Sequence, residues 1–202
     1  MNPSERGQKL YERWAFFEKY YFIIDMAISR FRKKAITELD LNEGDCVADI
    51  GCGHGRSLNR FCDVVGPSGS VIGVDYSAGM ASRSQRRYKM DSGVSVIQAD
   101  ARTLPIQQES LDGALSSYTL STIPDARSAI ESIYNALNPG GQLAVIDYNR
   151  PQGIRYHLLK YPRKLSYNWQ GVDVVELLQD IFPEVRVSKH DLGSVVIAIA
   201  KK

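Results

Sequence analysis

Between residues 46 and 148, short apolar runs alternate with amphipathic stretches, and this order restricts the fold more than any other feature of the chain. The apolar runs, which we predict to be strands, are CVADI, SVIGVDY, VSVIQAD, LDGALSSYTL and GQLAVIDY. The predicted helices are SLNRFCDVV, AGMASRSQRRYKM and ARSAIESIYNAL. Such alternation favours a parallel sheet with helices on both faces. We therefore expect a doubly wound α/β fold.

The two ends of the chain follow different patterns. Apolar residues recur at steps of three and four from Leu10 to Phe31, which predicts one helix or two in succession and hence an N-terminal helical cap over residues 1–40. Near the C-terminus, VDVVELLQDIF predicts a helix, and EVRVSKH and SVVIAIA flank a DLGS turn. Two strands joined by a short turn form a hairpin. The sheet should therefore end in an antiparallel edge.

Length and composition limit the function classes. A chain of 202 residues with 44% hydrophobic side chains fits one domain, 1–202, with one core. The net charge of +2 is too small to indicate that the whole domain binds nucleic acid. The three cysteines lack paired spacing, so we expect neither a disulfide framework nor a metal site. With no signal-peptide pattern and no apolar span of membrane length, we expect a cytoplasmic protein.

Three glycines at every second position, Gly51, Gly53 and Gly55, follow the first predicted strand and precede a helix. In this arrangement, backbone N–H groups and a helix N-terminus face a ligand. The dinucleotide fingerprint needs a G-x-G-x-x-G spacing, and here position 56 is arginine, which disfavours an NAD-dependent dehydrogenase. No Gly-Lys-Ser/Thr follows, which excludes a P-loop. A plain tight turn remains the alternative for the glycines alone.

An aspartate stands at the end of each of three successive predicted strands. Asp49 precedes the glycines, Asp75 closes VIGVD, and Asp100 closes VIQAD. An acid at the end of the second strand can accept both hydroxyls of a ribose, and one at the third can accept from the exocyclic amine of a base. Each aspartate alone could instead cap a helix, as Asp75 could for a helix beginning near Ser77. Together, they predict one crevice that binds a nucleoside.

Five segments occur in a specific order: VADIGCGHGRS, VIGVDYSAGM, IQADARTLP, LDGALSSYTLSTIPD and LNPGGQLAVIDY. With them the sequence resembles the class I S-adenosylmethionine-dependent methyltransferases over roughly residues 40–202. The resemblance implies a Rossmann-like sheet of seven strands, mostly parallel, with a C-terminal antiparallel hairpin. It also implies S-adenosylmethionine as the cofactor.

The resemblance also implies a role for each matching residue. The loop residues beside the methionine and ribose portions would be Asp49, Gly51, Cys52, Gly53 and Gly55. Asp75 would bind the ribose diol, Tyr76 and Met80 would flank the adenine, and Asp100 with Ala101 would meet its edge. Ser117 would lie near the transferred methyl group, and Tyr11 and Trp14 would contact the cofactor from the N-terminal cap. His54 departs from the small residue common at its position in the family.

The sequences of the motifs are similar to those of the family branch that methylates small molecules, quinone precursors and phospholipid head groups. We therefore expect a small-molecule or lipid-like acceptor. An RNA or protein methyltransferase and a non-catalytic S-adenosylmethionine-binding protein remain alternatives, although SSYT replaces the Asn-Pro-Pro-Tyr type of tetrapeptide used for base methylation. If the acceptor must lose a proton, the candidate bases near the end of the fifth strand are Asp147, Tyr148 and His157.

Two basic segments stand apart from these motifs. Residues 149–171 form a predicted lid loop with interleaved aromatic residues, and its cations are Arg150, Arg155, Lys160, Arg163 and Lys164. This loop could contact an anionic membrane or an RNA backbone, or it could be solvated; the small net charge disfavours nucleic acid. The second segment holds Arg30, Arg32, Lys33 and Lys34, and we interpret it as the cationic end of the first helical region.

Overall fold

The computed structural model describes residues 29–91, 93–149, 172–190 and 195–202. Several expectations lie outside the described residues. They are most of the N-terminal cap with Tyr11 and Trp14, the DLGS turn, and the lid loop beyond Asn149 with His157.

A seven-stranded sheet confirms the predicted Rossmann-like architecture. Its strands are β1 (Cys46–Ile50), β2 (Ser70–Asp75), β3 (Val94–Gln98), β4 (Leu111–Ser117), β5 (Leu137–Tyr148), β6 (Glu184–His190) and β7 (Val195–Lys201). Their order across the sheet is β3-β2-β1-β4-β5-β7-β6. The pairings from β3 to β5 are parallel, whereas β7 runs antiparallel to both β5 and β6. The antiparallel edge is therefore where the sequence predicted it.

Helices cover both faces of this sheet, as expected for a doubly wound fold. They are α1 (29–37), α2 (Leu58–Val65), α3 (Ala78–Arg87), α4 (Ala126–Ala136) and α5 (Val174–Ile181). Ser77 caps the start of α3, Asp125 that of α4 and Asp173 that of α5. The side chain of each accepts a hydrogen bond from a backbone N–H of the helix's first turn. These caps satisfy N–H groups that have no partner within the helix.

Two apolar clusters pack the helices onto the sheet. On one face, α4 and α5 bury Ile130, Ile133 and Leu178 against the strands. On the other face, α1 and α2 bury Ile36 and Phe61. Because α1 is part of the second cluster, its position over the sheet is fixed by burial of apolar surface, which contributes about 25 cal/mol for each Å².

The structure differs from the sequence prediction at the ends of two strands. The sequence predicts a fourth strand that extends to Leu120, but β4 ends at Ser117, since Tyr118 has a φ of 55° and Leu120–Thr122 forms a short 3-10 helix. The fifth strand begins at Leu137 rather than at Gly141, with a register irregularity opposite Leu111. Gly140, at a φ of 85°, lies within this irregular start.

Candidate functional site

The candidate site lies where the direction of strand order reverses. From β1, the chain proceeds to β2 and β3 on one side, while β4 and β5 lie on the other. At such a switch point, the loops that follow neighbouring strands diverge and leave a crevice beyond the strands' carboxyl ends. Asp49, next to the end of β1, is in register with Leu115, and Ile50 is in register with Ser116. The crevice therefore opens between the glycine loop and the end of β4.

The glycine loop is built so that a side chain does not fit at two of its positions. Gly51 has a φ of 79°, and a Cβ there would lie 2.1 Å from Oγ1 of Thr119. Gly55 has a φ of 73°, and its Cβ would lie 2.3 Å from Oγ of Ser84. The Tyr88 hydroxyl donates to the carbonyl oxygen of Gly55 (2.6 Å) and so fixes the end of the loop. The bare backbone brings peptide groups close to the crevice.

The carboxylate of Asp75 holds the loop and the next helix together. Its Oδ2 accepts from the backbone N–H of Gly53 and its Oδ1 from that of Ser77, both at 2.8 Å. Burial raises the pKa of this carboxyl to about 6, against the lowering effect of those two hydrogen bonds. A carboxylate oxygen has two lone pairs, so each can also accept a hydroxyl of a ribose.

Asp49 is a buried acid of the site, with 1% of its surface exposed. Its Oδ1 has no hydrogen-bond partner among the described residues. Burial raises its pKa to about 7; Arg32 and a hydrogen bond with Ser57 oppose the shift, and the negative charge of Asp75 adds to it. A buried oxygen without a partner is costly. A cationic ligand group that donates to this oxygen would recover that cost.

Asp100 is paired inside the protein. Both of its oxygens accept from the side chain of Arg102, the shortest contact being 2.6 Å from Nη2, and Oδ1 also accepts from the Arg102 backbone N–H (3.0 Å). These hydrogen bonds lower the pKa of the Asp100 carboxyl. No pattern in the sequence indicates this pair. An adenine amine at Asp100 would therefore share the carboxylate with Arg102.

Arg32 also lies at the candidate site, although its sequence context indicates only the cationic end of a helix. In the structure, α1 carries it over the carboxyl ends of the strands, where its Nε donates to Oγ of Ser117 (3.3 Å). Its positive charge also lowers the pKa of Asp49. The signal that could have found it is its position on the apolar helix, one residue after the buried Phe31. That position places Arg32 at the edge of the packed face.

The end of β5 presents one fixed carboxylate and one tyrosine. Asp147 is 0% exposed, and it accepts from the backbone N–H and the hydroxyl of Ser121 (2.9 and 2.5 Å) and from the N–H of Tyr148 (2.7 Å). This carboxylate ties β5 to the turn after β4, a role that the sequence did not reveal. The half-buried ring of Tyr148 lies 5.0 Å from that of Tyr118, centroid to centroid.

The remaining predicted residues differ in how much of their surface is exposed. Tyr76 is 43% exposed beside the end of β2, and Ala101 is buried just after Asp100. Met80, which we predict to flank the adenine, is 1% exposed and is packed in the protein interior. Cys52 and His54 are buried within the glycine loop. Burial raises the pKa of the Cys52 thiol, which keeps it neutral.

Comparison with known proteins identifies the central part of the chain. Residues 47–141 match a family model described as a methyltransferase domain. Over 124 residues, the chain is 32% identical to a demethylmenaquinone methyltransferase of Lactobacillus johnsonii, covering 60% of this chain and 51% of that relative. Over 167 residues, it is 25% identical to the demethylmenaquinone methyltransferase of Oceanobacillus iheyensis, covering 79% of this chain and 70% of that one. The chain thus spans about half the length of the first of these relatives.

A solved structure supports the same fold. An S-adenosylmethionine-dependent methyltransferase of Thermotoga maritima superposes with a TM-score of 0.74 at 22% identity, covering 96% of this chain and 99% of that one. At this identity the likeness concerns the fold.

Within the described ranges, none of the helices combines the length and the apolar character needed to cross a bilayer.

Proposed function

Because the chain belongs to the class I S-adenosylmethionine-dependent methyltransferases, we propose that it binds S-adenosylmethionine and transfers its methyl group to a small-molecule or lipid-like acceptor. One observation supports this proposal more than any other. The Oδ1 of the buried Asp49, which has no hydrogen-bond partner in the part of the chain that the structure describes, adjoins a glycine loop that Asp75 fixes through Gly53. A ligand with a cationic end and a ribose fits those groups.

The aspartates and the loop can hold three parts of this cofactor. Asp75 accepts from the ribose hydroxyls, with charge-assisted hydrogen bonds worth roughly 1.5–3 kcal/mol each. Asp49 lies toward the amino-acid end, and Asp100, already oriented by Arg102, accepts from the base. The bound cofactor supplies an electrophilic methyl group on a sulfonium. The protein's main task is to hold the acceptor in line with the carbon–sulfur bond, which can contribute about 7–11 kcal/mol.

The ends of β4 and β5 are the proposed wall for the acceptor. Tyr118 holds a left-handed backbone conformation, which is uncommon for a bulky residue and recurs at functional sites. Its ring packs against that of Tyr148 at the end of β5. Tyr118 directly follows Ser117, so both tyrosines lie at the same edge of the sheet. Aromatic faces of this kind suit a flat ring or the face of a quinol. The two relatives reported above are named as demethylmenaquinone methyltransferases, which agrees with such an acceptor.

The geometry separates the two described candidates for a general base. A base must come within hydrogen-bond reach of the proton it removes. Asp147 has no exposed surface and accepts hydrogen bonds from Ser121 and Tyr148, so we assign it to positioning these two residues. Tyr148 is half-buried at the end of its strand, and we retain it as the candidate that faces the acceptor.

Binding and turnover together test the proposal. Isothermal titration of the full chain with S-adenosylmethionine and with S-adenosylhomocysteine should give dissociation constants in the micromolar range, and NAD should give no binding. A panel of quinols, phenols, amines and phospholipid head groups is then assayed by mass spectrometry for methylated product. Asp49→Asn protein serves as the control for contaminating activity. Tight binding of NAD, or no binding of S-adenosylmethionine, would contradict the proposal.

The same assay separates the alternatives. Methylation of an RNA or protein substrate without turnover of any small molecule would replace the proposed acceptor class. Cofactor binding without turnover of any substrate would favour a non-catalytic binding protein. A cytoplasmic location remains part of the proposal, and the three free cysteines agree with a reducing compartment.

Asp75→Asn should weaken the binding of S-adenosylhomocysteine by about 10- to 150-fold, or roughly 1.5–3 kcal/mol. An amide would place an NH2 group opposite the N–H of either Gly53 or Ser77, and it would lose the charge that strengthens the bonds to the ribose. Titration calorimetry at about pH 8, well above the pKa of about 6, measures the change. The exposed Asp91→Asn is the matched control. Unchanged affinity would remove the ribose role.

A further inference from the structure

The outward side of α1 carries a row of positive charges. Arg30, Lys33 and Lys34 are spaced by three and four residues, which places them on the same side of the helix, and all three are exposed. The opposite side is buried against the sheet through Phe31 and its apolar neighbours. The acid nearest along the chain is Glu38, which pairs with Lys34 (2.7 Å). These three cations, which we call the cationic stripe, therefore keep a net positive charge.

The cationic stripe begins beside the mouth of the crevice. Arg32, within the same turn of α1, donates to Ser117 at the carboxyl end of β4 (3.3 Å). Beyond the other end of the helix, Leu41 packs against Gly113 near the start of β4, where its Cδ2 would lie 2.7 Å from an added Cβ. The helix therefore runs from the carboxyl ends of the strands toward their amino ends. The cations lie in the half nearer the crevice, and Glu38 lies farther from it.

Two neighbouring elements meet the start of this helix. Arg60 of α2 donates to the hydroxyl of Ser29 (2.9 Å), which adds a further positive charge there. The ring of His190, at the end of β6, lies 5.6 Å from that of Phe31. His190 is in register with the start of β7, which in turn is in register with Tyr148 at the end of β5. The cationic stripe and the proposed wall for the acceptor thus share one edge of the sheet.

We propose that the cationic stripe docks the protein on an anionic lipid surface, with the mouth of the crevice beside the membrane. The inference deepens the proposed function and rests on it, because docking at this edge would bring the crevice to a lipid-like acceptor. Each cation close to an anionic membrane strengthens binding by about fivefold. The attraction fades within a Debye length of about 10 Å, so the cations must be exposed on one side, as they are here.

The aromatic residue beside the cations favours a lipid surface over a nucleic-acid backbone. Proteins that bind single-stranded nucleic acid expose aromatic rings on which the bases stack. Phe31 is only 7% exposed. The guanidinium carbon of Arg30 lies 4.6 Å from the centre of its ring, and His190 packs against the same ring. This phenylalanine therefore presents no open face to a base.

Co-sedimentation of the full chain with lipid vesicles tests the proposal. The unaltered protein should bind vesicles of phosphatidylcholine mixed with phosphatidylglycerol, and it should not bind vesicles of phosphatidylcholine alone. Arg30→Gln combined with Lys33→Gln should weaken binding to the mixed vesicles by about 10- to 30-fold, since two cations are lost. Raising the salt concentration to about 0.5 M should also weaken binding of the unaltered protein.

Arg87→Gln combined with Lys89→Gln is the matched control. It removes the same two kinds of charge from exposed positions at the end of α3. Arg87 also lies over an aromatic ring, that of Tyr88 (5.9 Å), as Arg30 lies over Phe31. The control should change vesicle binding by less than about threefold, because α3 ends near the amino end of β3, away from the crevice. Thermal denaturation reports whether each variant is folded.

Each outcome decides between this proposal and its alternatives. Equal losses for the two double variants, or no binding of the unaltered protein to the mixed vesicles, would overturn the docking role of the cationic stripe. Binding of polyuridylic acid instead of vesicles, lost in Arg30→Gln with Lys33→Gln, would overturn it in favour of nucleic acid. Calorimetry with S-adenosylmethionine tests the proposed function separately. Cofactor binding without vesicle binding overturns only the docking role, whereas vesicle binding without cofactor binding overturns only the proposed function.

Discussion

Replacing Asp49 by asparagine is expected to stabilise the folded protein above pH 7 and, at the same time, to remove most of its affinity for S-adenosylmethionine. The carboxyl is 1% exposed, and burial raises its pKa from 3.8 to about 7 despite the nearby charge of Arg32. The folded protein therefore retains a proton that the unfolded chain releases near pH 3.8. Between these two values, the free energy of unfolding falls as the pH rises.

The difference between a pKa of 3.8 and one of about 7 corresponds to about 4 kcal/mol, all of it lost above pH 7. Asparagine carries no charge, but its amide needs partners of its own, so we expect a net gain on the order of 2 kcal/mol at alkaline pH. For a chain of this size, that gain raises the melting temperature by about 4–8 °C. Near pH 4, most of the gain should disappear, since the native carboxyl is then neutral.

Thermal denaturation at about pH 4 and pH 8 measures this effect, and titration with S-adenosylhomocysteine measures the loss of affinity. Asp63→Asn makes the same chemical change at an exposed position and should change stability by no more than about 0.5 kcal/mol. A destabilised Asp49→Asn protein at alkaline pH would mean that Arg32 stabilises the charged carboxylate by more than burial costs. In the unaltered protein, cofactor affinity should decline as the pH falls below about 7, because Asp49 then takes up a proton.

Gly51→Ala is expected to destabilise the protein by about 3–5 kcal/mol and to abolish cofactor binding. The new methyl group would lie 2.1 Å from Oγ1 and 2.6 Å from Cγ2 of Thr119, and the backbone has a φ of 79° that alanine rarely adopts. The loop cannot move away easily, since the N–H of Gly51 donates to Val74 (2.7 Å). Denaturant unfolding measures the loss of stability.

Two further variants separate the steric overlap from the backbone strain. Gly140→Ala has the same kind of φ, 85°, but nothing lies within 4 Å of its Cβ, so it should cost only about 1–2 kcal/mol. Adding Thr119→Gly to Gly51→Ala removes the side chain that the methyl group meets, and it should recover most of the difference between the two single variants. Equal losses for Gly51→Ala and Gly140→Ala would show that the overlap carries no energy.

The sequence alone determined the order of strands and helices, the antiparallel edge and the glycine loop. These features depend on local patterns, namely runs of apolar residues, helical periodicity and glycines at fixed offsets, which neighbouring residues encode without reference to the rest of the chain. The aspartates at the ends of β1, β2 and β3 could be predicted for the same reason. The early end of β4 could not, because the left-handed Tyr118 precedes a turn whose Ser121 bonds to Asp147, 26 positions away.

Only the tertiary structure decided which polar side chains meet. Arg32 and Ser117 are 85 positions apart, and Ser121 and Asp147 are 26 apart. No local pattern specifies such pairs, since the first arises where α1 packs over the sheet and the second where the turn after β4 meets the end of β5. The burial that raises the pKa of Asp49 is likewise a property of the packed protein, because the same carboxyl in an extended chain remains solvated.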